Sequence, residues 1–302
     1  MMSRKHAYRA GMALACLLLA ACATSERQAQ PEINHHLNGE AESGQLPAGK
    51  GDSLRVMTLN IAHARGTGFN QMLQGTNAAR DNLDSIALLL KKEAPDIVSL
   101  QEVDRQSFWN GNFNHVSFLA EKGAFRQSLS GTHVNGIGLD YGTALVAKLD
   151  LASPQSVTFN PVDPSGSKGF VVSSVQWPGA KCIEVDVVSA HLDFASAQTR
   201  REQAAEIIST LKQRNRPIIL MGDFNSDWKR DNSAVRKLAD ELNLHSFEPD
   251  ARSLVTFPKH QRRLDWILVS PEFSFQSYRV VEAAVSDHLG VVSDLGINRG
   301  CG

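Results

Sequence analysis

The sequence predicts an α+β chain in which two sheets pack face to face with helices outside them. Many strand-like runs with half-buried alternation, few helical periodicities, and gaps of hairpin length between runs lead to this class. The stretch Leu220-Met221-Gly222-Asp223-Phe224-Asn225 shows how such a chain could carry chemistry. Residues 217–221 read as a short buried strand that breaks at Gly222 and presents Asp223 and Asn225 where it leaves the core. Asp223 suits a metal ion or a held water, and Asn225 can donate to a phosphate while also accepting. Gly-Asp-x-Asn is equally good turn chemistry, so the rest of the chain has to decide.

Other apolar runs stop in the same way. Residues 54–59 end at Asn60, 97–100 lead to Glu102, and 183–190 end at His191. Two later runs open on the polar group instead: Asp265 precedes 266–269, and Asp287-His288 precede 289–292. In a mixed or antiparallel sheet, outgoing strands bring their C-terminal ends and returning strands their N-terminal ends to one rim, so these groups are expected together. Between the runs, Leu83, Ile86, Ala87 and Leu90 share one face of a helix starting near Thr76. Ala204, Ile207, Ile208 and Leu211 mark a second helix after Ser196, and Val235, Leu238, Ala239 and Leu242 a third. Further strand-like runs fall at 125–129, 141–147, 171–177, 273–280 and 291–295, and no internal repeat is visible.

Residues 1–21 are expected to be a signal rather than part of the fold. Arg4, Lys5, His6 and Arg9 form a basic start, and the apolar run 10–21 is too short to span a bilayer permanently. Leu19-Ala20-Ala21-Cys22 resembles the lipobox of bacterial lipoproteins. That resemblance implies lipidation of Cys22 and a place at the bacterial envelope, the outer membrane if the source is Gram-negative, since Ala23 follows. Residues 22–52 read as a flexible tether, and 53–302 as one domain. With 42% hydrophobic and 21% charged residues and a net charge of −1, the chain is ordinary globular material with no general attraction to nucleic acid. Cys16 lies in the signal, while Cys182 and Cys301 remain to pair or to stay as buried thiols.

Leu59-Asn60-Ile61, Leu100-Gln101-Glu102-Val103, Ala190-His191-Leu192, Gly222-Asp223-Phe224-Asn225, Arg263-Leu264-Asp265-Trp266-Ile267 and Ser286-Asp287-His288 resemble, in order, the motifs of the endonuclease/exonuclease/phosphatase superfamily. The resemblance covers nearly all of residues 54–295. It implies a four-layered α/β/β/α sandwich and divalent-metal-dependent hydrolysis of phosphate esters, with magnesium, or manganese, as cofactor. Such a reaction needs positive charge on the non-bridging oxygens, an activated water in line and help for the departing oxyanion. The resemblance makes Glu102 the first metal ligand, with Asn60 beside it and Asp287 facing the metal. His288 becomes base or phosphate-binding imidazolium, oriented by Asp265. Asp223 positions or deprotonates the water, Asn225 binds a phosphate oxygen, and His191 contacts phosphate or assists the leaving group.

The His191 motif is similar to the branch holding DNase I and bacterial sphingomyelinases. One departure stands at Gly142-Thr143-Ala144, where relatives often carry Gly-Asn-Ala: Thr143 offers no amide donor to phosphate. Arg200 and Gln203 follow the family's R-x-x-Q spacing. Trp109, in the loop 108–113, suits stacking on a base, contact with a lipid, or closure of the core. Lys259, His260, Arg262 and Arg263 suit flanking phosphates or plain surface. Of the ten histidines only His191 and His288 are expected to be catalytic, with His35, His36 and His260 solvated. The expected function is a monomeric phosphodiesterase. A nuclease, a sphingomyelinase-like phospholipid hydrolase and a non-catalytic binding module are the alternatives.

Overall fold

The computed structural model describes residues 27–36, 53–68, 70, 72, 75–163 and 166–298. Fourteen strands lie in this part of the chain, grouped in two mixed sheets of seven, and the central ones are rich in β-branched and aliphatic side chains. The first sheet contains β1 (Gln28–Ala29), β7 (Ala152–Thr158), β8 (Gly169–Trp177), β9 (Ala180–His191), β10 (Ile218–Asp223), β12 (Asp265–Val269) and β11 (His245–Ser246), in that spatial order. The second runs β13 (Phe273–Val281), β14 (Gly290–Ile297), β3 (Ser53–Asn60), β4 (Ile97–Asp104), β6 (Leu139–Ala147), β5 (Gln127–Gly136) and β2 (Ile33–His35). Four helices cover the outer faces: α1 (Thr76–Glu93) and α2 (His115–Lys122) on the second sheet, α3 (Ala197–Arg214) and α4 (Ala234–Leu242) on the first. The result is the expected α/β/β/α sandwich.

Three apolar layers follow from strand periodicity. Along β10, Ile219 and Met221 enter the layer between the sheets, whereas Ile218 and Leu220 enter the layer under α3 and α4. Leu54 and Val56 of β3 face between the sheets, and Met57 and Leu59 face α1. Towards the C-terminal end of these strands the layer between the sheets turns polar. Ser99 Oγ donates to Ser189 Oγ at 2.9 Å, and Gln101 Nε2 donates to Ser99 Oγ at 2.7 Å and to Ser189 Oγ at 3.2 Å. All three side chains are fully buried, so each hydrogen bond offsets a desolvation cost.

The expected helices are present, with Ser196 capping α3 through Thr199 N. Besides the short strands β1, β2 and β11, two longer elements were not legible. Helix α2 is only two turns long and is capped by Asn114, and β7 (sequence ASPQSVT) is polar and contains a proline. The run expected at 125–129 proves to be β5, longer and later than predicted.

The signal and Cys22 lie outside the described residues. The described part of the expected tether, 27–36, is tied to the fold: Gln28–Ala29 pairs with β7, and Ile33–His35 pairs with β5. Arg27 makes an ion pair with Glu206, and His36 Nε2 lies 2.8 Å from Ser128 Oγ. Cys182 is disulfide-bonded, its partner lying outside the described residues. A chain starting at Leu37 should therefore melt below one starting at Arg27. A scanning thermal unfolding measurement should show a difference of several degrees, given about 2–4 °C per kcal/mol in a chain of this size.

Candidate active site

Period-two alternation carries past the apolar core and lands on charged groups. On β10, Asp223 follows Ile219 and Met221 onto the inner face, and on β9 His191 follows Val187 and Ser189. The register sets Asp223 directly opposite His191 on one side and Asp265 on the other. Gly222, at φ +150°, is required because a Cβ there would lie 1.9 Å from the Ala190 carbonyl oxygen. Asn225, at φ +48°, folds back so that its N–H donates to Asp223 Oδ1 at 2.9 Å.

Asp223 Oδ2 is the meeting point. Asn60 Nδ2 donates to it at 3.1 Å, His191 Nε2 lies 3.6 Å away and His288 Nε2 3.7 Å away. Behind His288, Nδ1 is 2.9 Å from Asp265 Oδ2, which gives the Asp265–His288 pair that the family resemblance implied. Asn225 Nδ2 donates to Leu192 O at 3.0 Å and lies 3.4 Å from His191 Nε2. Asn60 Oδ1 accepts from Ala62 N at 2.9 Å, so the side chain expected beside a metal also braces Asp223.

Electrostatics divide the two histidines. Burial lowers His191 well below its ordinary value and Lys168 lowers it further, so its ring is neutral near pH 7. Burial also disfavours a charged His288, but Asp265 and Asp223 outweigh it and raise that ring to about 10. Burial pushes Asp223 up to about 7, with His288 opposing the shift and Asp265 adding to it. The coupled cluster is thus a cationic imidazole between two carboxyl groups.

Glu102 reaches the site by a different device. After Gln101, strict alternation would turn residue 102 towards α1 with Val98 and Leu100, but β4 bulges there and Glu102 adopts φ +52°. Burial by itself raises the Glu102 carboxyl, yet His63, Lys168 and Arg65 hold it well below the usual carboxylate range. Arg65 links the two remaining expected metal residues. Its Nη2 donates to Asp287 Oδ2 at 2.6 Å and its Nη1 to Glu102 Oε2 at 3.4 Å.

Sequence reasoning missed His63, Arg65 and Lys168. His63 Nδ1 lies 3.2 Å from Asp104 Oδ1 and its Nε2 3.5 Å from Glu102 Oε2. Trp109 belongs to this group: its Nε1 donates to Asp104 Oδ2 at 3.1 Å and its ring packs on His63 and Tyr141. Of the basic cluster, Arg263 turns inward, stacking on Trp266 and donating to Tyr278 Oη at 2.7 Å. Arg200 Nη1 donates to the carbonyls of Asp193 and Phe194, and Gln203 Oε1 accepts from Asp193 N. Both therefore brace the loop after His191.

The residues present fit a divalent cation. Oxygen donors from Glu102 and Asp287 meet at Arg65, and carboxyl oxygens of Asp223 and Asp265 lie within 4.8 Å of each other. Asp265 Oδ1 is buried without a partner among the described residues.

The model of the Endonuclease/Exonuclease/phosphatase family matches residues 57–288. No curated protein matches in sequence. Among solved structures, an endonuclease/exonuclease/phosphatase from Beutenbergia cavernae superposes with TM-score 0.66 at 23% identity, over 82% of this chain and 72% of that one. Human Nocturnin's catalytic domain with bound sulfate gives 0.61 at 16%, over 89% and 98%. Sphingomyelinase C from Streptomyces griseocarneus gives 0.57 at 17%, over 82% and 99%. At these identities the likeness is one of fold.

Asp265→Asn should lower the midpoint at which His288 loses its proton from about 10 towards the ordinary 6.5, because the largest charge raising it is gone. Histidine-detected NMR titration of the folded protein measures it directly, and an unmoved midpoint would refute the pairing.

Proposed function

The chain belongs to the endonuclease/exonuclease/phosphatase family, whose members are hydrolytic phosphoesterases and generally depend on divalent metal, and from that premise we propose a magnesium-dependent phosphodiesterase. The observation that carries the reading is the cationic His288 held between Asp265 and Asp223, with an anionic Glu102 on the same rim. A cation held by Glu102 and Asp287, with Asn60 nearby, would supply positive charge to the phosphoryl oxygens.

The remaining work falls to side chains of this protein. His288 carries a proton at Nε2 and presents positive charge to the phosphate. Asp223, pushed up to about 7, is matched to hold or deprotonate a water near neutral pH. Asn225 Nδ2 and the neutral His191 ring face the same spot, Asn225 to bind a phosphoryl oxygen and His191 to meet the leaving oxygen. A non-catalytic binding module has no need of so many buried charged groups in one cluster. Manganese is the alternative metal.

A second reading, a phospholipid hydrolase, rests on the hairpin between β5 and β6. Its tip places Ile137 at φ +46° and 68% exposed, and the neighbouring Phe108, whose N–H donates to Gly138 O, is 53% exposed. A β-branched residue in the left-handed region is costly, and its exposure beside an aromatic ring suits a lipid surface. The sulfate in Nocturnin and the name of the sphingomyelinase are compatible with phosphate or phospholipid substrates. The nuclease alternative is weaker, because Arg263 is turned away from the rim. We place the protein at the bacterial envelope through a lipidated Cys22, acting as a monomer. The disulfide at Cys182 agrees with an oxidising compartment.

Chelation should abolish hydrolysis, and magnesium or manganese should restore it. His288→Ala and Asp223→Ala should each reduce turnover by about a hundredfold or more with unchanged circular dichroism. A panel of DNA, RNA, sphingomyelin, inositol phosphates and bis(p-nitrophenyl) phosphate reads all of these, and full activity after exhaustive chelation would refute the mechanism. On the lipid reading, Ile137→Asn should slow cleavage of sphingomyelin vesicles by about tenfold while sparing bis(p-nitrophenyl) phosphate. Equal effects on both substrates would remove that reading.

A further inference from the structure

Lys168 stands immediately before β8, whose first residue, Gly169, is paired with His191. The backbone carbonyl of Lys168 accepts from Phe159 N at 2.9 Å, which pins the residue at the base of the hairpin between β7 and β8. The residue is only 8% exposed, and its side chain makes no hydrogen bond or ion pair with any described residue. Among the described residues its ammonium has the through-space attraction of Glu102 but no direct hydrogen-bond acceptor, which leaves its donors to face a ligand.

The surroundings say which. Lys168 lines a cavity of about 10 Å³ with Glu102, His133, Tyr141 and His191, room for a single oxygen atom or water. Thr143 gives nothing to that cavity, because its hydroxyl is engaged with His133 Nε2 at 2.9 Å, while His133 Nδ1 reaches Thr158 Oγ1 at 3.0 Å. A Cβ on Gly169 would lie 2.5 Å from the His133 ring, so the glycine lets that ring close in. Burial holds His133 down to about 3, which keeps a second cation out of the wall. The phenol of Tyr141, pushed up to about 12 by burial and by Glu102, stays a hydrogen-bond donor.

We propose that Lys168 is a substrate-binding residue whose ammonium takes one non-bridging phosphoryl oxygen in the cavity between Glu102 and His191, the contact that Thr143 is too short to make. The inference rests on the phosphoesterase reading and deepens it. The small cavity admits an oxygen but no substituent, so both ester groups of a diester must lie towards the open side of the site.

The test uses the full chain with magnesium, inorganic phosphate as the binding probe and bis(p-nitrophenyl) phosphate as the turnover probe. Lys168→Met and Lys168→Gln should weaken phosphate binding in calorimetry by about tenfold or more and raise KM for the diester comparably. Magnesium affinity should hold within about twofold and the melting temperature should stay within about 2 °C, since no direct hydrogen bond of the fold is removed. Phosphate affinity indifferent to residue 168 would overturn the assignment. A drop in melting temperature or in magnesium affinity with phosphate binding intact would do so too, making Lys168 a structural counter-ion of Glu102. A wild-type protein that neither binds phosphate nor cleaves any ester would instead remove the phosphoesterase reading itself.

Discussion

A carboxyl group buried between two sheets governs the arrangement of everything near it. Asp223 is 1% exposed, and a lone carboxylate at that depth would be very costly. Its oxygens are met by the amide of Asn60 from the other sheet, by the backbone of Asn225, and by the rings of His191 and His288. Each partner arrives on a different strand or loop, so the fit depends on the register of β3, β9 and β10 and on the spacing of the two sheets. Ser286 ties the loop carrying His288 to the same frame by donating to Asn60 O at 2.7 Å.

The layer between the sheets is built to make that possible. Its far end is packed with Leu54, Val56, Ile219, Met221 and Ile267, which draw the sheets together by burial of apolar area. Its near end replaces them with Thr58, Ser99, Gln101 and Ser189: Thr58 bonds Gln101 within one sheet, while Ser99 and Gln101 bond Ser189 across to the other. Apolar packing fixes the distance between sheets, and the directional polar bonds fix their lateral position. A site assembled from both sheets needs each of these.

Two imidazoles a few ångströms apart from one carboxyl oxygen hold opposite protonation states, and the cause is local. His288 has Asp265 against its second nitrogen, whereas the neighbours of His191 include the cation of Lys168. One residue is thereby suited to offer positive charge and the other a neutral ring. The same contrast separates Glu102, kept anionic beside Lys168 and Arg65, from Asp223, desolvated and pushed up. Acid and base assignments thus follow from environment rather than residue type.

Local sequence alone determined the strand faces and the places where they run out. Alternation carried Asn60, His191 and Asp223 onto the inner face, and apolar runs that end or begin at a polar group marked one rim, because both are set by period two within a single strand. The breaker at Gly222 and the cap at Ser196 were legible for the same reason. Only the tertiary structure decided the direction of Glu102, which hangs on a bulge that alternation cannot foresee. It alone brought Arg65 between Glu102 and Asp287, turned Arg263 inward onto Trp266, and set Lys168 in the cavity wall beside Glu102 and His191. It also drew residues 27–36 out of the expected tether onto two sheet edges. These outcomes depend on what a distant strand or ring offers at a given point in space, and a charged residue in a loop carries no periodic signal of which partner that will be.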